Sequence, residues 1–183
     1  DHLCGNYHFD EVCIHENDIE VSHVHTSKDM RKDIIRQARE KGVLPADFDE
    51  DGFLSTGPGN LVPIKEGHCF DLGGATLEVI EVPGHTRGSI GLLYRKKRLL
   101  LLGDAANSFL FLFLPESTSV DEYIKTLEKI NSLDFDQFII SHYHSTLPKS
   151  KINDYIECAK NIDVEKSKPF EFPPFKDLKA LIY

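Results

Sequence analysis

Apolar residues recur along this chain with two periods, and the switches between them mark out its elements. After Ser119, the positions Val120, Tyr123, Ile124, Leu127 and Ile130 fall at helical spacing, and Ser119 with Glu122 forms an S-x-x-E capping box in front of them. From Lys149 onward, Ile152, Tyr155, Ile156, Ala159 and Ile162 repeat the stripe and predict a second helix. A further helix is predicted over residues 28–41, with Ser27 as N-cap and Gly42 as stop signal. Its stripe of Met30, Ile34, Ile35 and Ala38 is thin, which places it at the surface.

Elsewhere the period is two, or the apolar run is unbroken. Residues 67–71, the pair Gly73-Gly74 and residues 75–82 read as a hairpin, with Leu77, Val79 and Glu81 on one face and Ile80 and Val82 on the other. Residues 90–94 and 99–102 read as a second hairpin, closed by the basic turn Arg95-Lys96-Lys97-Arg98. Residues 99–102 are apolar throughout, as in a strand covered on both faces. Residues 138–141 predict another buried strand, and residues 11–15 a short one. Residues 45–63, with their Asp-Gly and Gly-Pro-Gly punctuation, read as a long irregular loop of the kind that carries function. Residues 168–174 read as a proline-rich extended arm.

Composition bounds the class. The chain has 183 residues, 40% hydrophobic and 28% charged, which suits one soluble globular domain over residues 1–183 and is short for two. No apolar run approaches the roughly 20 residues that a membrane-spanning helix needs; residues 109–114 (Phe-Leu-Phe-Leu-Phe-Leu) are closed by Pro115. No basic region followed by an apolar one opens the sequence, so no signal peptide is read. The formal net charge of -9 disfavours a phosphate backbone as partner. The four cysteines, Cys4, Cys13, Cys69 and Cys158, make no CxxC pair and are expected to be reduced and mostly buried. A cytoplasmic protein with a small-molecule substrate, binding neither nucleic acid nor membrane, is the expectation.

The candidate chemistry sits where strands end. His85 follows Pro83-Gly84 after one predicted strand, Asp104 follows Gly103 after another, and His142 and His144 follow a third. Taken singly, each is as readily a hydrogen-bonded structural residue. Together they share one position relative to a strand, and if those strands are neighbours their ends converge at one sheet edge. Imidazoles and a carboxylate converging there make a nitrogen and oxygen ligand set suited to zinc, with iron or manganese as alternatives.

The run Gly67 to Thr86, with Leu72-Gly73-Gly74 and Pro83-Gly84-His85-Thr86, resembles the third metal motif of the metallo-β-lactamase superfamily. Leu101-Leu102-Gly103-Asp104 resembles its fourth motif, and Ile140-Ser141-His142 its fifth. The resemblance covers essentially the whole chain. It implies an α+β fold, a four-layer αββα sandwich. It also implies a hydrolase of ester-, thioester- or lactone-like substrates that works through a metal-bound hydroxide, with two zinc ions in the intact site. The family's leading signature is H-x-H-x-D-H, and Asp1-His2 resembles its close. The first half of that signature and the strands before it are then missing from this chain. His23-Val24-His25 is an H-x-H, but Thr26-Ser27-Lys28 follows it where x-D-H is required.

Carried over residue by residue, the resemblance implies Asp1, His2 and His142 as ligands of one metal, Asp104 as the bridge and His85 as a ligand of the other. His144 is the alternative to His142, since both follow the same strand. Asp1, Asp104, Tyr143 and His144 are the expected catalytic set, with Tyr143 or His144 donating to the developing oxyanion. Residues 45–63 and 109–114 are candidates for a substrate wall, the latter equally for core packing. An incomplete front implies weakened or single-site metal binding and a chain with little or no activity. Two alternatives stay open: a non-catalytic binding or homodimerisation module that uses an exposed sheet edge, and the iron-binding redox branch of the same fold.

Overall fold

Two parallel strands, β1 (Val12–His15) and β2 (Leu61–Ile64), pair in register from Val12↔Leu61 to His15↔Ile64. A parallel pair needs a long crossover, and the chain between them supplies one that is mostly helical. The computed structural model describes residues 3, 5–107, 109–170 and 180–182. By contacts the chain divides into two compact units, Asp1–Ile64 and Lys65–Tyr183.

In the first unit the crossover carries α1 (Ile19–His25), α2 (Lys28–Glu40) and α3 (Glu50–Ser55). The expected caps of α2 are present: the Ser27 side chain accepts from the Met30 amide, and Gly42 takes a φ of 67° just past the end. Its buried face is formed by Ile35 and, unexpectedly, by Arg31, which is fully buried. The Arg31 Nε donates to the Thr26 carbonyl and Nη2 to the Gly57 carbonyl, each at 3.0 Å. Its guanidinium lies over the Phe53 ring, 4.7 Å from the centroid. The long loop expected over residues 45–63 is instead interrupted by α3 and ends in β2. The Asp49 carboxylate accepts from the Gly52 amide at 2.9 Å and starts a helix too short to show a period.

The second unit is built on a six-stranded sheet with order β3-β4-β5-β6-β7-β8. Its strands are β3 (Cys69–Asp71), β4 (Thr76–Glu81), β5 (Ile90–Tyr94), β6 (Leu99–Leu101), β7 (Gln137–Ile139) and β8 (Leu147–Pro148). Every neighbouring pair is antiparallel except β6 and β7, which are parallel. The β3–β4 hairpin turns on Gly73 and Gly74, at φ 73° and 155°, values that side-chain-bearing residues rarely adopt. The β5–β6 hairpin closes through Arg98 in the left-handed region, and the Arg98 guanidinium holds both Asp134 and Asp136.

The crossover from β6 to β7 contains α4 (Val120–Ser132), and the chain after β8 forms α5 (Lys151–Lys160). The capping box of α4 has both of its bonds: the Glu122 amide to the Ser119 hydroxyl, and the Ser119 amide to the Glu122 carboxylate. The Ser119 amide and the Ser119 hydroxyl donate to the Glu122 carboxylate, favour its ionised form and hold that carboxyl below its ordinary range. Leu127 and Ile130 of α4, with Ile152 of α5, bury against Ile80, Val82, Leu93, Leu100, Leu102 and Phe138 of the sheet and its continuations. Val79 and Ile80, adjacent on β4, are both buried, so β4 is covered on both faces, as its two apolar faces require. Lys168–Phe170 (β9) pairs with Ala180–Ile182 (β10), so the expected arm begins as a strand; residues 171–174 lie outside the described residues.

The expectation of mostly buried cysteines fails. Cys13, Cys69 and Cys158 are free and exposed. Cys13 alternates outward on β1, beside partly buried Val12 and Ile14, and Cys158 lies one position from buried Ala159, about 100° around α5. Cys4 lies outside the described residues. No described helix is long and apolar enough to cross a membrane.

Candidate metal centre

Strands β4 and β6 are both antiparallel to β5, and β7 is parallel to β6. All three therefore run in one direction, and their C-terminal ends lie at one edge of the sheet. His85, Asp104 and His142 follow those three ends, which is where a rigid sheet presents loop residues for chemistry.

Pairing continues past the ends of β6 and β7. The Leu102 amide donates to the Ile139 carbonyl and the Ser141 amide to the Gly103 carbonyl, both at 2.8 Å. Gly103, at φ 55°, then turns the chain and delivers Asp104. His142 takes a φ of 62°, a conformation uncommon for a residue with a side chain and held in place only when its surroundings demand it. Its Nε2 lies 3.5 Å from Asp104 Oδ1; the Asp104 side chain is 22% exposed and the His142 side chain 61%. A carboxylate and an imidazole nitrogen are so brought together, mostly shielded on one side and open on the other.

His85 is fixed by a different device. The His85 Nδ1 lies 3.2 Å from the Phe111 carbonyl oxygen. A carbonyl only accepts, so Nδ1 carries a proton, and in the neutral ring Nε2 is then the nitrogen with the lone pair. That is the tautomer a metal-binding histidine needs, held as outer-shell carbonyls hold it in metal sites.

The loop around His85 is braced by α4 and by the segment leading into it. The Thr118 amide donates to the Gly84 carbonyl at 2.9 Å, and the Thr126 hydroxyl to the Pro83 carbonyl at 2.6 Å. The Arg87 amide and Nη1 donate to the Glu116 and Pro115 carbonyls. Gly84 lies against the Tyr123 ring: a Cβ built there would stand 2.6 Å from Tyr123 Cδ2. Burial pushes the Tyr123 phenol well above its ordinary range, so the ring packed on Gly84 stays neutral.

Residues 109–113 form no regular element among those described, yet they alternate like a strand. Leu110 and Leu112 pack on the core. Phe109, Phe111 and Phe113 turn the other way and stack together, each also meeting Phe170 of β9. Core packing and an aromatic wall are thus both present in this run, on opposite sides. The wall adjoins His85, whose ring centroid lies 6.4 Å from that of Phe111.

Asp1 and His2 lie outside the described residues. Among the described residues no group of three His, Cys, Asp or Glu side chains is gathered closely enough to hold a metal ion. Asp104 and His142 are brought together; His85 stands at the same edge, but β5 lies between its strand and that of Asp104, a spacing of about 10 Å at roughly 4.8 Å per strand. The nitrogen and oxygen donors fit a divalent ion. Tyr143 and His144 are exposed on the loop after β7. His23 and His25 lie within α1, where residues two apart point away from each other. Ser117 and Thr126, which brace the His85 loop, carry no signal in the sequence, because what their hydroxyls contact is backbone; Tyr123 shows there only as a member of the α4 stripe.

The family model of the metallo-beta-lactamase superfamily matches residues 1–144. Among curated proteins, acyl-coenzyme A thioesterase MBLAC2 of Bos taurus is 28% identical over 138 residues, 73% of this chain and 47% of that protein. Hydroxyacylglutathione hydrolase 1 of Vibrio vulnificus (strain YJ016) is 36% identical over 121 residues, 63% of this chain and 47% of that protein. The chain spans about half the length of these curated relatives. Among solved structures, the metallo-beta-lactamase family protein TTHA1429 of Thermus thermophilus matches with a TM-score of 0.56 at 16% identity, over 82% of this chain and 52% of that one; this likeness shows the fold.

Proposed function

The chain belongs to the metallo-beta-lactamase superfamily, and from that premise we propose that it serves the hydrolysis of thioesters at a metal centre. Its fold is the superfamily's α+β fold. Divalent metal ions are what the superfamily binds, and zinc is the ion proposed here, with Asp104 and His142 holding it and His85 serving a second ion. The observation that carries the metal centre is the adjacency of Asp104 Oδ1 and His142 Nε2. The choice of thioester is supported by two relatives: one is named an acyl-coenzyme A thioesterase, and the other a hydroxyacylglutathione hydrolase.

A divalent ion bound there supplies Lewis-acid polarisation of the scissile carbonyl and acidifies water. The protein's own residues do the rest. His85, locked through Nδ1, presents Nε2 in one orientation. Tyr143 or His144, on the open loop beside His142, donates a hydrogen bond to the oxygen that gains charge as the thioester carbonyl is attacked. The face of Phe109, Phe111 and Phe113, three apolar rings in contact, takes the apolar acyl group, while the polar thiol carrier remains in water. Water adds to the acyl carbon, the carbon–sulfur bond breaks, and the products are a carboxylate and a free thiol.

Zinc-loaded protein incubated with acyl-coenzyme A and acylglutathione substrates should release free thiol above a chelator-treated control. No release from either class overturns the thioester reading. Release with the iron-loaded protein of a redox product, and not of thiol, moves the chain to the redox alternative.

A second copy of the chain is the partner proposed for the β1–β2 pair. This two-stranded sheet has no further strand on either side among the described residues, and open strand edges pair readily. Sedimentation at micromolar concentration should show a dimer; a monomer ends the idea.

A further inference from the structure

The chain that leaves the aromatic run turns back on the His85 loop, and Ser117 sits where the two meet. Ser117 is 5% exposed. Its hydroxyl lies 2.8 Å from the His85 carbonyl oxygen and 3.3 Å from the Phe111 carbonyl oxygen. The second of these acceptors is the one that receives the His85 Nδ1–H. One buried hydroxyl thus touches both the backbone of His85 and the group that orients its ring.

We infer that Ser117 is a positioning residue for His85, fixing the ring's Nδ1–H tautomer and aim by pinning the His85 backbone to the Phe111 carbonyl. The inference rests on the reading of His85 as a metal ligand. A hydroxyl has one proton to give, and the shorter distance assigns it mainly to the His85 carbonyl. The Phe111 carbonyl, with two lone pairs, takes the ring N–H and the weaker share of the hydroxyl. Three atoms from two distant stretches of chain are so held in one small triangle. Without the hydroxyl, the His85 carbonyl loses the donor that a buried side chain gives it. The loop then relaxes relative to residue 111, and the ring can exchange its proton between nitrogens. The side-chain size matters less than the donor, since the hydroxyl is the part of Ser117 that reaches both carbonyls.

The test uses the whole chain, first without metal. In nitrogen-15 NMR at alkaline pH, where imidazole is neutral, wild-type His85 should show a single Nδ1–H tautomer. Ser117→Ala should show a mixture, and Ser117→Thr, which restores the hydroxyl, should return the single form. In a second measurement, zinc competition against a chromogenic chelator should give roughly tenfold weaker binding in Ser117→Ala, the size expected when an outer-shell partner is lost, and recovery in Ser117→Thr. An Nε2–H tautomer in the wild type overturns the inference even if no variant folds. So does a Ser117→Ala protein that is less stable yet keeps its tautomer and zinc affinity, since that is what a merely structural serine would do. Thiol release is scored separately: its absence defeats the thioester reading and leaves the tautomer result standing.

Discussion

Asp104 and His142 are partners by register. Leu101 pairs with Ile139, the pairing continues through Gly103 and Ser141, and each candidate ligand stands three residues beyond its paired strand residue. His144, two residues further along, has left the ladder. His142→Asn, chosen because asparagine tolerates positive φ, should therefore weaken zinc binding by more than the roughly 10–100-fold that losing an outer-shell partner costs. His144→Ala should leave zinc affinity unchanged. Metal content after dialysis and chelator competition check both; equal loss in the two variants would show that the register argument picks the wrong histidine.

Gly84 has no room for a side chain. The Cβ of an alanine there would stand 2.6 Å from Cδ2 and 3.0 Å from Cε2 of Tyr123, and Tyr123 is itself buried in the core. Gly84→Ala should cost about 1–3 kcal/mol, the usual penalty of overpacking. Adding Tyr123→Leu should recover part of that cost. Urea denaturation of the two single variants and the double variant measures the coupling; strict additivity would mean that the ring does not brace the His85 loop.

Phe109 is the most open member of the aromatic face, 49% exposed, beside a ladder that leads to His85. Phe109→Ala should raise KM for long apolar acyl thioesters by roughly tenfold, equivalent to about 1.4 kcal/mol of lost apolar contact. It should change KM for a two-carbon acyl group little. A uniform effect across chain lengths would place the acyl group elsewhere.

Much of this architecture is legible in local sequence because it is caused locally. The Ser119–Glu122 box needs only four residues, and the Gly73-Gly74 turn only two. The buried apolar strands set the positions of His85, Asp104 and His142 just past their ends. What escapes reading is whatever depends on distant backbone. Arg31 looks like a surface charge until the Thr26 and Gly57 carbonyls meet it, Ser117 looks like a loop residue until the His85 carbonyl does, and α3 hides because six residues show no period. Asp1 and His2 are recognised by motif alone.

At the opposite edge of the sheet, Arg98 holds Asp134 and Asp136 through paired hydrogen bonds of 2.7–2.9 Å. Those bonds lower the ionisation ranges of both carboxyls. A carboxylate with a depressed folded-state pKa stabilises the fold above its unfolded value, about 3.9 for Asp, and the contribution is lost as pH falls through the folded value. Arg98→Asn keeps a residue suited to the left-handed conformation at φ 51°. The stability difference between wild type and Arg98→Asn should be constant from neutral pH to about pH 5 and shrink below about pH 4. Thermal unfolding followed across that range would expose the error if the difference instead grew in acid.

Arg31 gives the sharpest distinction between charge and shape. Its guanidinium is fully buried, serves two carbonyls with one planar fork, and stacks on Phe53. Its Nη1 has no hydrogen-bond partner among the described residues. Lysine cannot reproduce the fork: its ammonium reaches one carbonyl at best and remains a buried charge. Arg31→Lys should therefore cost about 3 kcal/mol, an orphaned carbonyl plus poorly solvated charge. Arg31→Met also orphans the carbonyls, but it removes the charge and keeps the apolar stem that packs beside Phe53. It should cost less than lysine, because taking an ion out of an interior recovers its desolvation penalty. Urea midpoints for the two variants decide the matter. A methionine variant less stable than the lysine one would mean that retaining positive charge under Phe53 outweighs the penalty of burying it.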